Sequence, residues 1–155
     1  MSGSRPWNEL DSDEQRKLLL VMFASFEKPW TESQLEMVCE RFRVHDAQVS
    51  FGTASEAYCI WWMTDHFVYL DKLFVVPEFK RSGIGSEWFR TWTHMLTPLP
   101  VVLRTNTLMS NGFYSKLDMQ VIAIDNDQVY MTNRPSLVSA SMVNAMFSLP
   151  SCFTP

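Results

Sequence analysis

Gly83 and Gly85 stand at the mouth of an apolar helical stretch, directly after Lys80, Arg81 and Ser82, and a buried strand ending in Leu73-Phe74-Val75-Val76-Pro77 leads into them. Residues of these types in this order favour an anion. The first N–H groups of a helix lack intrahelical acceptors and carry the positive end of its dipole, and glycines let a phosphate approach the main chain. Lys80 and Arg81 add charge to the same mouth. A P-loop would need Gly-Lys-Ser/Thr, but Gly85 is followed by Ser86-Glu87. A dinucleotide fingerprint would need a third glycine and an acidic residue about 20 positions on, and neither is supplied.

The elements that position this loop can be read from periodicity. Ser12-x-x-Gln15 is a capping-box pattern ahead of Leu18, Leu19, Met22, Phe23 and Phe26, and Thr31-x-x-Gln34 repeats it before Leu35, Val38, Cys39 and Phe42, so two helices open the chain. Ala47 to Phe51, Ala57 to Met63 and Phe67 to Val76 are rich in β-branched and aromatic residues and read as strands. A third helix begins in the Gly83–Gly85 region and carries Ile84, Trp88, Phe89, Trp92, Met95 and Leu96 until Pro98 and Pro100 stop it. A short strand, Val101 to Arg104, a helix over Ser110 to Leu117, and two strands, Met119 to Ile124 and Gln128 to Met131, complete the pattern, the last two joined by a hairpin at Asp125-Asn126-Asp127. Met1 to Ser4 read as foreign to the fold. Residues 134–155 form a C-terminal extension with a helix near Ser136 to Phe147, beyond a domain over 1–133. Such an alternation requires an α/β (α+β) fold, a mixed sheet covered by helices.

These motifs resemble the GNAT superfamily of N-acetyltransferases, whose motif A is a strand ending in Leu-x-Val-x-Pro followed by Gln/Arg-x-x-Gly-x-Gly/Ala. Here Lys80 takes the place of the commoner Gln or Arg. Asn111-Gly112-Phe113-Tyr114-Ser115-Lys116-Leu117 is similar to motif B, with Asp118-Met119 where many members carry Gly-Phe. The resemblance runs from about Leu18 to Met131. It implies a mixed, mostly antiparallel central sheet with splayed central strands, and acetyl-CoA as cosubstrate. Backbone groups of Leu73, Phe74 and Val75 would hold pantetheine and the acetyl carbonyl. Amides from Arg81, Ser82, Gly83, Ile84, Gly85 and Ser86 would hold the pyrophosphate, with Lys80 and Asn111 beside it. Tyr114 matches the position that faces the cofactor sulfur and is the candidate acid; the alternative is a packed Tyr with a solvated hydroxyl.

Tyr69-Leu70-Asp71-Lys72-Leu73 is similar, more narrowly, to the acetyltransferase domain of animal-type N-acetylglutamate synthases. That likeness implies Lys72, with Arg104, as the holder of a substrate carboxylate. Asp71, its neighbour on the strand, must point to the opposite face and is left to a structural partner or a water relay. In that subfamily the domain follows an amino-acid kinase domain, which 155 residues do not accommodate. His45 and His66 are second-choice bases, against a plain reading as surface histidines.

Bulk properties agree with this chemistry. A formal charge of −4 provides no basic field for nucleic acid or an anionic membrane. Cys39, Cys59 and Cys152 are unpaired in spacing, and no His/Cys/Asp/Glu cluster has metal-site spacing, so metal independence and a reduced, cytoplasmic location are expected. The partner expected is a small-molecule amine; Met142, Met146 and Phe147 suggest a possible homodimer. The rival functions are a protein or peptide N-acetyltransferase and a non-catalytic CoA-binding module.

Overall fold

The computed structural model describes residues 3–80 and 82–147. Its elements are β1 (Gly3–Pro6), α1 (Ser12–Ser25), α2 (Glu32–Val44), β2 (Gln48–Phe51), β3 (Ala57–Met63), β4 (Val68–Val75), α3 (Ile84–Met95), β5 (Val101–Asn106), α4 (Thr107–Asn111), β6 (Gln120–Asp125), β7 (Gln128–Thr132) and α5 (Ala140–Phe147). Short 3-10 turns at Trp7–Glu9, Pro77–Phe79 and Tyr114–Leu117 link them. Backbone hydrogen bonds order the strands β1-β2-β3-β4-β5-β7-β6. β4 and β5 run parallel, whereas β1 with β2, β2 with β3, β5 with β7 and β6 with β7 run antiparallel. This is the mixed sheet with helices that the alternation requires, and it is mostly antiparallel, as the resemblance implies.

The chain divides into two compact units, Met1–Trp62 with Lys72–Trp88, and Met63–Asp71 with Phe89–Pro155. In the first, Trp7 and Phe42 are fully buried and meet edge to face at 5.0 Å. Leu19, Met22 and Leu35 bring the apolar stripes of α1 and α2 into that core. Both helices carry capping boxes, each worth about 1 kcal/mol. The second lies where expected, Thr31 Oγ1 accepting from Gln34 N–H and Gln34 Oε1 from Thr31 N–H. The first is one residue earlier than expected: Asp11, not Ser12, is the N-cap, accepting from Glu14 N–H at 2.8 Å while Glu14 Oε1 accepts from Asp11 N–H. A carboxylate outcompetes a hydroxyl at this position because the cap faces the positive end of the helix dipole.

Gly3 and Ser4 are not foreign to the fold. They begin β1, paired with Phe51 and Ser50. A Cβ on Gly3 would meet the Phe51 ring at 2.9 Å, so this glycine is there for close packing. A relay from Trp61 Nε1 to Ser50 Oγ (2.9 Å) and on to Ser4 Oγ (3.1 Å) ties the strand down. The sequence Gly-Ser-Arg-Pro has no strand signature of its own; the ladder on β2 provides it.

In the second unit, Val68, Tyr69 and Leu70 are all buried and pair with Val101, Val102 and Leu103. Buried runs of this kind mark parallel strands covered on both faces. Val129, Tyr130 and Met131 of β7 extend the core, and Val138 and Val143 bring the segment around α5 into it. The helix expected over Ser110 to Leu117 forms as two pieces. α4 starts earlier, at Thr107, because Asn106 Oδ1 caps it by accepting from Met109 N–H at 2.8 Å. It stops at Gly112, the poorest helix former here after proline. The chain then makes the Tyr114–Leu117 turn and closes with Asp118 in the left-handed region at φ +63°.

Candidate functional site

The first unit carries the glycine loop. β4 ends at Val75, and Val76 N–H donates to Glu56 carbonyl at 2.9 Å, which fixes the strand's exit. The Pro77–Phe79 turn follows, and Ser82 Oγ donates to Phe79 carbonyl at 2.6 Å, tightening the loop. Gly83 has φ +81°, and among the described residues, its chain neighbours aside, no atom lies within 4 Å of where its Cβ would be. The position therefore combines a backbone that L side chains resist with open space beside it. Gly83 carbonyl accepts from Glu87 N–H at 3.1 Å as α3 begins. Ile84, Gly85 and Ser86 make up its first turn, whose N–H groups have no acceptor inside the helix. Arg81 lies outside the described residues, as do Met1, Ser2 and Cys152 and the side chain of Phe147. The ammonium of Lys80 donates to Ser25 carbonyl, so its charge also sits against the carbonyl end of α1.

Of the residues expected to offer their backbone, Leu73 and Val75 are half-buried and Phe74 is 2% exposed. The Phe74 ring stacks on Tyr58 at 5.2 Å and meets Phe26 edge-on at 6.2 Å, which anchors this stretch of β4 by its side chain. All three residues lie beyond Leu70, where the register of β4 on β5 reaches Leu103. Lys72 is half-buried on the same strand.

The second unit holds Tyr114, Asp71, Arg104 and Asn111. Tyr114 is 9% exposed, its ring edge-on to Phe89 at 5.6 Å and to Phe113 at 4.9 Å. Such aromatic pairs are worth about 0.5–1.5 kcal/mol each beyond area burial, so the ring direction is set by packing. Arg90 Nη2 donates to Lys116 carbonyl at 3.2 Å, tying α3 to the turn that bears Tyr114. Asp71 follows Leu70 immediately, with Oδ2 buried. Arg104 is half-buried and stands opposite Tyr130 in the β5–β7 ladder. Asn111 ends α4 on the surface, its carbonyl accepting from Ser115 Oγ at 2.8 Å.

The second-choice bases have other surroundings. His45 stacks on Trp62 at 4.2 Å with the rings nearly coplanar in orientation, 4° apart, and His66 is exposed in the turn before β4. Burial pushes the Cys59 thiol well above its ordinary range, with the Trp88 N–H pulling weakly the other way, and burial raises Cys39 too. Neither is a thiolate nucleophile at neutral pH. Among the described residues, no group of three or more His, Cys, Asp or Glu could hold a metal ion, and no helix is long and apolar enough to cross a membrane.

Sequence reasoning missed two partners, Asn106 and the Ser25 carbonyl. Asn106 caps the start of α4, the helix that ends at Asn111, and its signal is an Asn three places before Met109 with Thr107 between. Asp118, which the sequence marks as standing where the resembling motif has Gly, takes the left-handed conformation; Asp is among the few side chains that enter this region at modest cost. The Ser25 carbonyl is the partner of Lys80, and no sequence signal connects them.

No protein-family model matches the sequence, and no curated protein does. Solved structures do. The PaiA N-acetyltransferase of Thermoplasma acidophilum in complex with coenzyme A superposes with a TM-score of 0.57 at 13% identity, covering 85% of this chain and 98% of that one. An acyl-CoA N-acyltransferase of Pseudomonas aeruginosa gives 0.63 at 14% identity, over 85% and 97%. The ribosomal-protein-S18-alanine N-acetyltransferase of Escherichia coli gives 0.57 at 12%, over 85% and 92%. The fold is that of the N-acetyltransferases. At these identities the likeness is one of backbone architecture.

Proposed function

We propose that this protein transfers an acetyl group from acetyl-CoA to a primary amine by direct attack. The observation that carries the reading is the turn from β4 into α3, where Gly83 leaves open space at a helix N-terminus. This arrangement suits a pyrophosphate: the amides of the first helical turn have no acceptor inside the helix, and among the described residues beyond the chain neighbours none fills the space beside Gly83. The amides of residues 81–86 would take the pyrophosphate, with Lys80 at the same loop, and the backbone of Leu73–Val75 the pantetheine arm; Asn111 is a further cofactor-binding candidate. Acetyl-CoA supplies an activated thioester. The acceptor's neutral amine nitrogen forms the new C–N bond as the C–S bond breaks, so one proton leaves nitrogen and one must reach sulfur. Tyr114 gives its phenolic proton to the departing sulfur, and Asp71 passes the amine's proton to water. With the thiols of Cys39 and Cys59 held protonated, direct transfer without a covalent enzyme intermediate fits the residues at hand.

The acceptor we favour is a small amino acid with a free carboxylate, glutamate first. Lys72 and Arg104 would hold the carboxylate, a reading that rests on Leu70-Asp71-Lys72 and its likeness to N-acetylglutamate synthases. The test is thiol release from acetyl-CoA with a panel of amines, each product identified by mass. Turnover on glutamate and none on its carboxylate-amidated analogues supports the full reading. Equal turnover on the amidated amines moves the acceptor to a peptide or polyamine. Coenzyme A binding without turnover on any amine makes the protein a binding module.

A further inference from the structure

A cavity of about 370 Å³ opens in the first unit between α1 and strands β1–β3, apart from the glycine loop. Leu10, Leu18, Val21, Phe51 and Tyr58 line it, all half-buried, so each leaves apolar surface facing the void. At the roughly 30 Å³ that a water takes in the liquid, the volume matches about a dozen heavy atoms. That is the low end of ligand pockets, which are concave, mostly apolar and supplied with a few polar groups that orient the guest.

The polar lining is Arg5, Glu14, Lys17 and Ser55. Two cations face one carboxylate, and that carboxylate is committed. Glu14 Oε1 accepts from Asp11 N–H at 3.2 Å in the capping box, and Oε2 accepts from Arg5 Nη1 at 2.9 Å. The bond to Glu14 uses one of the five N–H donors of Arg5, and Lys17 makes no hydrogen bond or ion pair among the described residues. Donors therefore outnumber the bonds they make, and each oxygen of the one carboxylate already accepts a hydrogen bond. Ser55, in the β2–β3 turn, is held at φ +54°, a conformation that costs a side-chain-bearing residue and that structures keep where surroundings enforce it.

We propose that this cavity binds a small monocarboxylate with an apolar ring or short chain as its body. The body fills the space between Leu18, Val21, Phe51 and Tyr58, and the carboxylate takes the spare donors of Lys17 and Arg5. The Tyr58 ring also stacks on Phe74, so the guest shares a wall with the stretch of β4 that precedes the glycine loop.

The site is tested without acetyl-CoA, so its failure and that of the acetyltransferase reading are separate results. Phenylacetate is titrated into the full chain while methyl and aromatic NMR signals of Leu18, Val21 and Tyr58 are followed, with phenylacetamide as the neutral control. Saturable shifts at these residues at millimolar phenylacetate or below are expected. Affinity should be weaker for phenylacetamide by about threefold or more, since the rim is partly exposed and its charges are screened. Lys17→Met should remove most of that preference. Val21→Phe, which fills the void, should abolish the shifts in a protein whose circular dichroism is unchanged; if that variant does not fold, Leu18→Met, which reshapes the wall at constant volume, should alter the affinity. No saturable shift at these residues with either probe overturns the proposal, as does equal binding of acid and amide, or binding unaffected by both Lys17→Met and the wall variant.

Discussion

Of the turns that carry a left-handed residue, those at Gly83 and Asp118 differ in what stands beside it. At Gly83, φ +81°, a Cβ would enter open space at the start of a twelve-residue helix. At Asp118, φ +63°, the residue caps a short 3-10 turn, its N–H donating to Tyr114 carbonyl. The same backbone conformation leaves open space at a helix start in one place, where we propose that a phosphate approaches, and reverses the chain in the other. Glycine is needed where something must come close, and an exposed aspartate suffices where the chain only has to turn.

The same substitution at both turns is the strongest way to break this comparison. Gly83→Val and Asp118→Val should each lose about 1–2 kcal/mol of stability through the left-handed backbone. Only Gly83→Val should also lose acetyl-CoA affinity, by about two orders of magnitude or more, since a β-branched side chain then occupies the space left for phosphate. Calorimetry with acetyl-CoA on both folded variants decides the matter; equal affinities would place the phosphate site elsewhere.

The turn that Asp118 closes has its own function if Tyr114 is the acid. Tyr114→Phe should lower kcat by about 10²-fold while leaving acetyl-CoA affinity alone, because it removes one proton and little packing. An unchanged kcat in a variant whose chemical step is rate-limiting would leave Tyr114 as a core aromatic, held between Phe89 and Phe113.

Lys72→Met, on the strand that leads to Gly83, should raise the acceptor KM by about one to two orders of magnitude, the worth of a charge-assisted hydrogen bond. Acetyl-CoA affinity should stay put. Loss of thermal stability with an unchanged KM would instead show Lys72 paired inside the protein, with an acid such as Glu56 or Asp65.

The smallest effect is expected at the other end of the second turn. Asn106→Ala removes the cap of α4 and should cost about 1 kcal/mol in a thermal melt, with a modest fall in kcat if α4 sets the direction of Tyr114. Asp118→Gly should change stability by less, since relief of the left-handed backbone is offset by the larger entropy of glycine in the unfolded chain.

Local patterns made much of the architecture legible. The span Ala57–Met63 matches its β-branched and aromatic run, α3 starts within the glycine region, and Thr31 and Gln34 form the box their spacing announces. Misreadings fell where two local signals competed or where the partner is remote. Asp11 and Ser12 are adjacent candidates for one cap. Asn106 starts α4 and Gly112 ends it, where the sequence reads one helix over Ser110 to Leu117. β1 exists only because β2 pairs with it.

The amino-acid sequence by itself determined the element types, the mixed sheet, and the position of a glycine loop at the head of an apolar helix, because capping, periodicity and glycine act over a few residues. The tertiary structure alone decided the partners: Lys80 on the Ser25 carbonyl, the Phe51 ring on Gly3, Tyr58 on Phe74, and the left-handed turn at Asp118. These depend on which distant segments are brought together, and burial is a property of the assembled chain, on which a short sequence window has no purchase.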